Sequence, residues 1–287
     1  MTRKLLDISG KIDRLTIEVL SLISKTASSL GIQFFVIGAT ARDIILNNAY
    51  NISTIRATMD IDFGVQVSNW ESYEKMKDTL LATGLLTKTK EPHRLLYAES
   101  IRIDILPFGP IAEPDQSLSW PPDHEPKMST IGFEEAYRYS QTVRLTKNPT
   151  LDIQVAAPCG LALMKLFSWS DSYPNRGRDA QDLALLLKTY IQAGNEQRLY
   201  EDAGDLLEKE DFDYILAGAR LLGRDMAAIM SSKTKEVVVG ILNRETGNQN
   251  RYRLVESMLK GGATSKDNFE EHLRLLEELK TGILEQS

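Results

Sequence analysis

The sequence predicts an α/β (α+β) N-terminal half followed by an all-helical C-terminal half. Short apolar runs with strand character alternate with helical patterns up to about residue 157. Beyond Pro158, apolar residues recur at helical spacing almost to the end of the 287-residue chain. With 42% apolar and 26% charged residues, the chain can bury a sizeable core. We therefore expect one domain over 1–157 and a second over 158–287.

The first part of the chain alternates between helix and strand. Apolar residues spaced close to 3.6 predict a long amphipathic helix over about 5–30, and Gly31 ends it. The run 32–37 is rich in β-branched and aromatic residues and predicts a buried strand. Gly38 ends this strand, and a short helix over 40–47 follows.

Strict alternation of apolar and polar residues predicts another strand over 59–67. Ser68 or Asn69 can cap a helix that extends to about Ala82. Two further strands are predicted at 94–97 and 101–106, joined by a tight turn. A proline-rich loop over 107–128 and strand-like pieces within 130–156 complete this half of the chain. In the second half, we expect helices at about 159–169, 178–193, 197–208, 211–230, 233–245, 249–260 and 267–284.

Three aspartates on predicted strands are candidate ligands of a divalent metal. Asp60 and Asp62 are two residues apart, so both side chains project from one face of their strand. Asp104 lies between isoleucines in mid-strand, where a carboxylate is disfavoured unless it has a partner. Crowded carboxylates repel one another unless a cation neutralises them. Mg²⁺ is the expected cation, with Mn²⁺ as an alternative, because Mg²⁺ prefers oxygen ligands and bridges carboxylates to phosphates.

The turn after the strand 32–37 is a candidate phosphate site. Gly38 allows the backbone to approach a ligand, and the following helix start offers free N–H groups and the positive end of a dipole. Thr40 adds a hydroxyl donor, and we include Ala39 and Arg42 among the candidate nucleotide-binding residues. Metal-binding carboxylates beside a phosphate site are what two-metal phosphoryl or nucleotidyl transfer requires.

Taken together, these motifs resemble the nucleotidyltransferase superfamily of the DNA polymerase beta type. The shared pattern is the glycine signal at Gly38, the Asp-x-Asp strand 59–63 and the third aspartate within 103–105. Within that superfamily, the chain is most similar to the AbiEii/AbiGii family of toxin–antitoxin nucleotidyltransferases, through the segments 161–165 and 176–183. The resemblance implies a small mixed sheet flanked by helices.

The resemblance also implies roles for five catalytic residues. Asp60 and Asp62 would bind Mg²⁺ ions that bridge the NTP. Asp104 would ligate the catalytic metal and orient or deprotonate an acceptor hydroxyl, which attacks the α-phosphorus and displaces pyrophosphate. From the helical domain, Lys165 would neutralise charge on the triphosphate, and Asp182 would position Lys165 or the nucleotide.

Two neighbouring residues are weaker candidates. Arg178 is assigned to nucleotide binding and Asp179 to a supporting position. A surface ion pair between Arg178 and Asp182, worth only ~0.3–0.5 kcal/mol, is the structural alternative. For Lys165, the alternative is that its stem merely packs along the core while the ammonium reaches solvent.

The predicted function is transfer of an NMP unit from an NTP to RNA, for example a tRNA 3′ end, by the toxin of a toxin–antitoxin pair. A cognate antitoxin is the expected protein partner. The net charge of −6 argues against nucleic-acid binding by bulk charge, so a small molecule or a protein side chain stays open as the acceptor. A non-catalytic nucleotide-binding module is the remaining alternative.

The cellular location is predicted from what the sequence lacks. No apolar run approaches the ~20 residues that span a bilayer. The first residues show no apolar stretch followed by a cleavage site. We therefore expect a cytoplasmic protein without a membrane partner.

Overall fold

The structure, a computed structural model, describes residues 5–54, 60–122, 127–209, 213–247, 251–260 and 266–285. They divide into two compact units, 1–157 and 158–287, which are described separately below. The predicted fold class is confirmed: a mixed sheet with helices is followed by a helical region.

Among the described residues of the first unit, eight strands form one mixed sheet and two more form a small hairpin. The strands are β1 (Leu6–Asp7), β2 (Gln33–Ile37), β3 (Asp60–Gln66), β4 (Leu86–Lys88), β5 (Arg94–Tyr97), β6 (Ile101–Phe108), β7 (Ser117–Ser119), β8 (Lys127–Ser129), β9 (Gln141–Lys147) and β10 (Thr150–Val155). The order in the large sheet is β1-β9-β10-β2-β3-β6-β5-β4, and β7 pairs with β8.

The helices of the first unit begin and end at residues with clear local causes. They are α1 (Arg14–Leu30), α2 (Gly38–Arg42), which continues as a π-helical segment (Asp43–Ala49), α3 (Trp70–Leu81) and α4 (Phe133–Arg138). The side chain of Asp13 accepts a hydrogen bond from the Thr16 backbone N–H and caps α1, and Asn69 caps α3 in the same way. Gly31 ends α1 in the left-handed conformation.

The central strands place alternate residues in the core. Ile61 and Phe63 on β3 are buried, as are Ile103 and Ile105 on β6. The residues between them belong to the other face of the sheet. This alternation sets the aspartates of both strands on one common face.

The N-terminal segment differs from the prediction. The helix expected over about 5–30 begins only at Arg14, because Gly10 has a φ of +82° and Asp13 caps the helix. The apolar residues before Gly10 instead contribute the edge strand β1, which pairs in parallel with β9. Within 130–156, residues 133–138 form α4 rather than a strand. Met59, at the start of the strand predicted over 59–67, lies outside the described residues.

The second unit is helical throughout its described parts. Its helices are α5 (Pro158–Ser172), α6 (Gly177–Thr189), followed by a π-helical segment (Ile191–Asn195), α7 (Glu196–Glu201), α8 (Asp205–Lys209), α9 (Tyr214–Ile229), α10 (Ser232–Thr246), α11 (Arg253–Leu259) and α12 (Lys266–Glu285). The single helix predicted over 197–208 is therefore two short helices, separated by residues 202–204. Across the described chain, none of the helices has the length and apolar character needed to cross a membrane.

Candidate active site

The carboxylate cluster, defined as Asp60, Asp62 and Asp104, lies on adjacent strands of the first unit. β3 and β6 run parallel, and their register sets Asp62 directly opposite Asp104. Asp60 lies one pleat earlier on β3, on the same face as Asp62. Side chains at such paired positions are close neighbours. The sheet thus brings together residues that are more than 40 positions apart in the sequence.

The turn at Gly38 is shaped around the Asp62 carboxylate. β2 is antiparallel to β3 and pairs Ile37 with Asp62, so the next residue, Gly38, lies against that side chain. Gly38 has a φ of +66°, and a Cβ built on it would lie 2.0 Å from Oδ2 of Asp62. The hydroxyl of Thr40 donates to the backbone carbonyl of Asp60 at 2.8 Å, which ties α2 to the start of β3. Only glycine fits this turn while Asp62 keeps its place.

The other two candidates in this turn have different environments. Ala39 is half-buried in the first turn of α2. The guanidinium side chain of Arg42 is only 4% exposed, and its Nη2 lies 2.7 Å from Oδ1 of Asp43. The Arg42 guanidinium is thus buried and paired with a neighbouring carboxylate rather than exposed to solvent. Contact between Arg42 and a nucleotide stays a prediction.

Two arginines that are not among the candidates from the sequence contact the carboxylate cluster. Arg94 on β5 is paired with Asp104 across the antiparallel β5–β6 ladder. Its Nε and Nη2 donate to the two carboxylate oxygens of Asp104 at 2.7 and 2.8 Å. Arg102 on β6 is paired with Asp60 on β3, and its Nε lies 3.2 Å from Oδ1 of Asp60. Guanidinium groups thus supply the positive charge that the crowded carboxylates require.

The donor chemistry of the carboxylate cluster fits Mg²⁺, but its present bonding does not yet form a metal site. Carboxylate oxygens from adjacent strands are the ligands that Mg²⁺ prefers, and the absence of a side chain at Gly38 makes space for the Asp62 carboxylate itself. In the described part of the chain, however, no three His, Cys, Asp or Glu side chains are arranged to hold a metal ion. The hydrogen bond from Arg94 to Asp104 is consistent with that finding, because it uses a carboxylate oxygen that a metal ion would need.

A second group, the lysine cluster, lies in the helical unit and comprises Lys165, Asp179 and Asp182. The ammonium of Lys165 on α5 lies 2.7 Å from Oδ1 of Asp179 and 2.7 Å from Oδ2 of Asp182, both on α6. Only 12% of the Lys165 side chain is exposed. Burial alone would lower the pKa of Lys165, but the two carboxylates outweigh it and raise the pKa above its ordinary value. The ammonium is therefore charged at neutral pH.

Asp179 makes further hydrogen bonds besides its contact with Lys165. Besides Lys165, it accepts hydrogen bonds from the Ser168 hydroxyl at 3.0 Å and from Arg176 at 3.5 Å. Its spacing of three residues from Asp182 puts both on one face of α6, which is the signal that could have ranked it higher. Arg178, the other candidate on α6, is exposed.

A comparison with protein-family models identifies the chain. Residues 22–243, which include both clusters, match the model described as nucleotidyl transferase AbiEii toxin, type IV TA system. The chain belongs to the AbiEii nucleotidyltransferase family. It is thus an enzyme of the nucleotidyltransferase class, in a family of type IV toxins. No curated protein sequence is significantly similar to it.

Solved structures similar to this AbiEii protein are distant. The antibiotic-resistance factor ANT(2″)-Ia in solution has 9% identity and a TM-score of 0.37, over 70% of this chain and 98% of that one. An antigenic nucleotidyltransferase-like protein from Paracoccidioides brasiliensis has 15% identity and a TM-score of 0.39, over 71% and 93%. A CCA-adding enzyme in complex with ATP has 17% identity and a TM-score of 0.33, over 94% and 70%.

Proposed function

We propose that this AbiEii protein transfers an NMP unit from an NTP to a hydroxyl group of RNA, for example a tRNA 3′ end, in an Mg²⁺-dependent reaction. The observation that carries the proposal is the register of β3 and β6, which sets Asp62 opposite Asp104 beside the turn at Gly38. Carboxylates next to a backbone turn without a side chain can hold metal and phosphate together.

In this proposal the carboxylate cluster holds the metal. Asp60 and Asp62 would ligate Mg²⁺, and Asp104 would share the ligation and orient the acceptor hydroxyl. Bound Mg²⁺ would neutralise charge on the triphosphate and on the leaving pyrophosphate. Backbone N–H groups that follow Gly38 would face phosphate oxygens, since they belong to a helix start.

The bond changes follow from this placement. The acceptor oxygen forms a bond to the α-phosphorus, and the bond from that phosphorus to its bridging oxygen breaks. Pyrophosphate leaves with the electron pair, and the acceptor proton passes to the carboxylate of Asp104. The proposed role of Asp104 is therefore both to orient the hydroxyl and to accept its proton.

The lysine cluster is proposed to stabilise the triphosphate. Lys165 is charged at neutral pH because its pKa is raised, so its ammonium can pair with phosphate oxygens. Asp182 and Asp179 would fix the position of that ammonium. Arg178 is exposed and would contribute a more mobile contact. Replacement of Lys165 by Met should therefore raise the KM for NTP more than replacement of the exposed Arg178.

The biological setting is proposed from the family and the chemistry. A type IV toxin implies an antitoxin, and its NTP and RNA substrates would be met in the cytoplasm. The net charge of −6 favours a different acceptor, because long RNA normally binds a basic surface. A small molecule or a protein side chain is therefore the second candidate acceptor.

The central test is label transfer with matched aspartate variants. The protein is incubated with each α-³²P-labelled NTP, Mg²⁺ and total RNA. We expect Asp62→Asn to abolish transfer and Asp152→Asn to retain it. Asp152 is a suitable control because it also pairs with an arginine of a neighbouring strand, Arg144, but lies away from the cluster on β10. Equal transfer by wild type and Asp62→Asn would disprove the proposal.

The same assay separates the acceptors when a cell extract replaces the RNA. Label that becomes soluble after ribonuclease treatment supports RNA. Label that resists ribonuclease and is released by protease indicates a protein acceptor, and label that passes a dialysis membrane as a species other than NTP or NMP indicates a small molecule. Nucleotide binding without transfer to any fraction would favour the non-catalytic alternative.

A further inference from the structure

The guanidinium of Arg94 is hydrogen-bonded to the Asp104 carboxylate, which the proposed reaction needs as a metal ligand. Both carboxylate oxygens of Asp104 accept hydrogen bonds from it, at 2.7 and 2.8 Å. Paired bonds between two charged groups are among the strongest hydrogen bonds in proteins. The side chains are only 24% and 14% exposed, so water screens the pair weakly. A divalent cation at Asp104 would need the same oxygen atoms.

A second anionic partner lies within reach of Arg94. Its Nη1 is 4.0 Å from Oε1 of Glu91, a side chain that is about half exposed. Glu91 precedes β5 by three residues, so its carboxylate can receive the guanidinium without a change in the strand. The charge of Arg94 then stays paired when its bonds to Asp104 break.

We propose that Arg94 is a positioning residue that exchanges with the metal at Asp104. Before metal binds, Arg94 holds and neutralises Asp104; when Mg²⁺ takes the carboxylate, Arg94 moves to Glu91. The proposal rests on the proposed function, since it takes Asp104 as a metal ligand. It identifies Arg94 as the residue that sets how much Mg²⁺ the enzyme needs.

The second arginine at the carboxylate cluster is a much weaker competitor. Nε of Arg102 lies 3.2 Å from Oδ1 of Asp60, and the two side chains are 54% and 39% exposed. Solvent-exposed pairs of this kind contribute little. A comparison of Arg94 with Arg102 therefore separates direct competition from a general change of charge near the site.

The test measures Mn²⁺ binding by titration calorimetry without nucleotide. We expect Arg94→Gln to bind Mn²⁺ about tenfold more tightly than wild type, the effect of losing one charge-assisted competitor. Arg102→Gln should have a smaller effect. Arg144→Gln is the matched control and should change nothing, because Arg144 makes the same two-bond pair with Asp152 on other strands. Glu91→Gln should weaken binding, since it removes the group that receives Arg94.

The outcomes distinguish this inference from the proposed function. If folded Arg94→Gln binds Mn²⁺ no more tightly than wild type while Asp104→Asn weakens binding, the exchange is refuted and the metal site stands. If Asp104→Asn binds Mn²⁺ as wild type does, the metal assignment fails and the exchange fails with it.

A measurement on the unchanged protein covers the case in which the variant does not fold. The Nε–H NMR resonance of Arg94, assigned by its loss in Arg94→Lys, should shift during an Mg²⁺ titration as its bond to Asp104 is replaced. An Arg94 resonance that is unchanged at saturating Mg²⁺ would overturn the exchange.

Discussion

Replacement of Gly38 by alanine tests whether the turn after β2 is built around Asp62. The new Cβ would lie 2.0 Å from Oδ2 of Asp62, 2.9 Å from its Cγ and 3.1 Å from its Cβ. Rotation of the carboxylate alone relieves only the closest of these contacts. Either Asp62 leaves its position opposite Asp104, or the turn and β3 move apart.

Gly31 offers a matched control for the backbone strain. Its φ of +67° is nearly that of Gly38, but a Cβ at Gly31 would meet nothing within 4 Å. Alanine in the left-handed region costs about 1 kcal/mol, so Gly31→Ala should destabilise the protein by about that amount. Gly38→Ala adds an overpacking cost of roughly 1–3 kcal/mol, for a total of about 2–4 kcal/mol.

The functional effect should be larger than the loss of stability suggests. Displacement of a metal-ligating carboxylate by about 1 Å can lower a reaction rate by about 100-fold. Urea unfolding would give the free energies, and the label-transfer assay would give the rates. We expect Gly31→Ala to retain full transfer and Gly38→Ala to lose at least about 99% of it. Equal losses of stability in the two variants, together with full transfer by Gly38→Ala, would refute the argument.

Three further predictions concern the helical unit. Burial raises the pKa of Glu285, but hydrogen bonds from two arginines of α9 outweigh this effect and lower the pKa to about 2. Glu285→Gln should therefore destabilise the protein at pH 7, and urea unfolding should show this difference vanish as the pH falls from 4.5 towards 2. Gly223→Ala should destabilise the protein by roughly 1–3 kcal/mol, because its Cβ would lie 2.2 Å from the Leu279 carbonyl oxygen. Gly240→Ala should not destabilise the protein, because its Cβ would lie 3.8 Å from the flexible end of the Arg244 side chain. Burial raises the pKa of Cys159 to about 12, so iodoacetamide at pH 8 should label it far more slowly in the native than in the urea-unfolded protein.

Local signals were sufficient for most elements of the fold. The apolar run 32–37 and the alternation over 59–67 correspond to β2 and β3, because burial of one face produces those patterns directly. The helical prediction for the segment before Gly10 is wrong because β1 exists only through its pairing with β9, more than 130 residues later. A two-residue strand carries no periodicity of its own, so its apolar residues extended the helical pattern of α1.

The candidate residues followed from the sequence, but their bonding did not. Paired aspartates in mid-strand are unfavourable without a cation, so their residue type and position identify them as candidate metal ligands. The buried ion pair of Arg42 does not follow from the sequence: its partner Asp43 is the next residue in the chain, but the burial of Arg42 depends on the surrounding fold. Whether a charge faces solvent or the interior is decided by contacts that local spacing does not contain.

Arg94 could have been found from the hairpin alone. Strands over 94–97 and 101–106 joined by a tight turn were predicted, and a three-residue connection pairs Tyr97 with Ile101. Counting three residues away from the turn on each strand sets Arg94 opposite Asp104, and cross-strand neighbours of opposite charge attract. The register of a hairpin follows from its turn, and here the consecutive left-handed residues 98 and 99 fix it. The residue that controls access to Asp104 in our proposal is therefore specified by the length of a surface turn. Insertion of one residue into that turn should shift the register and release Asp104 from Arg94.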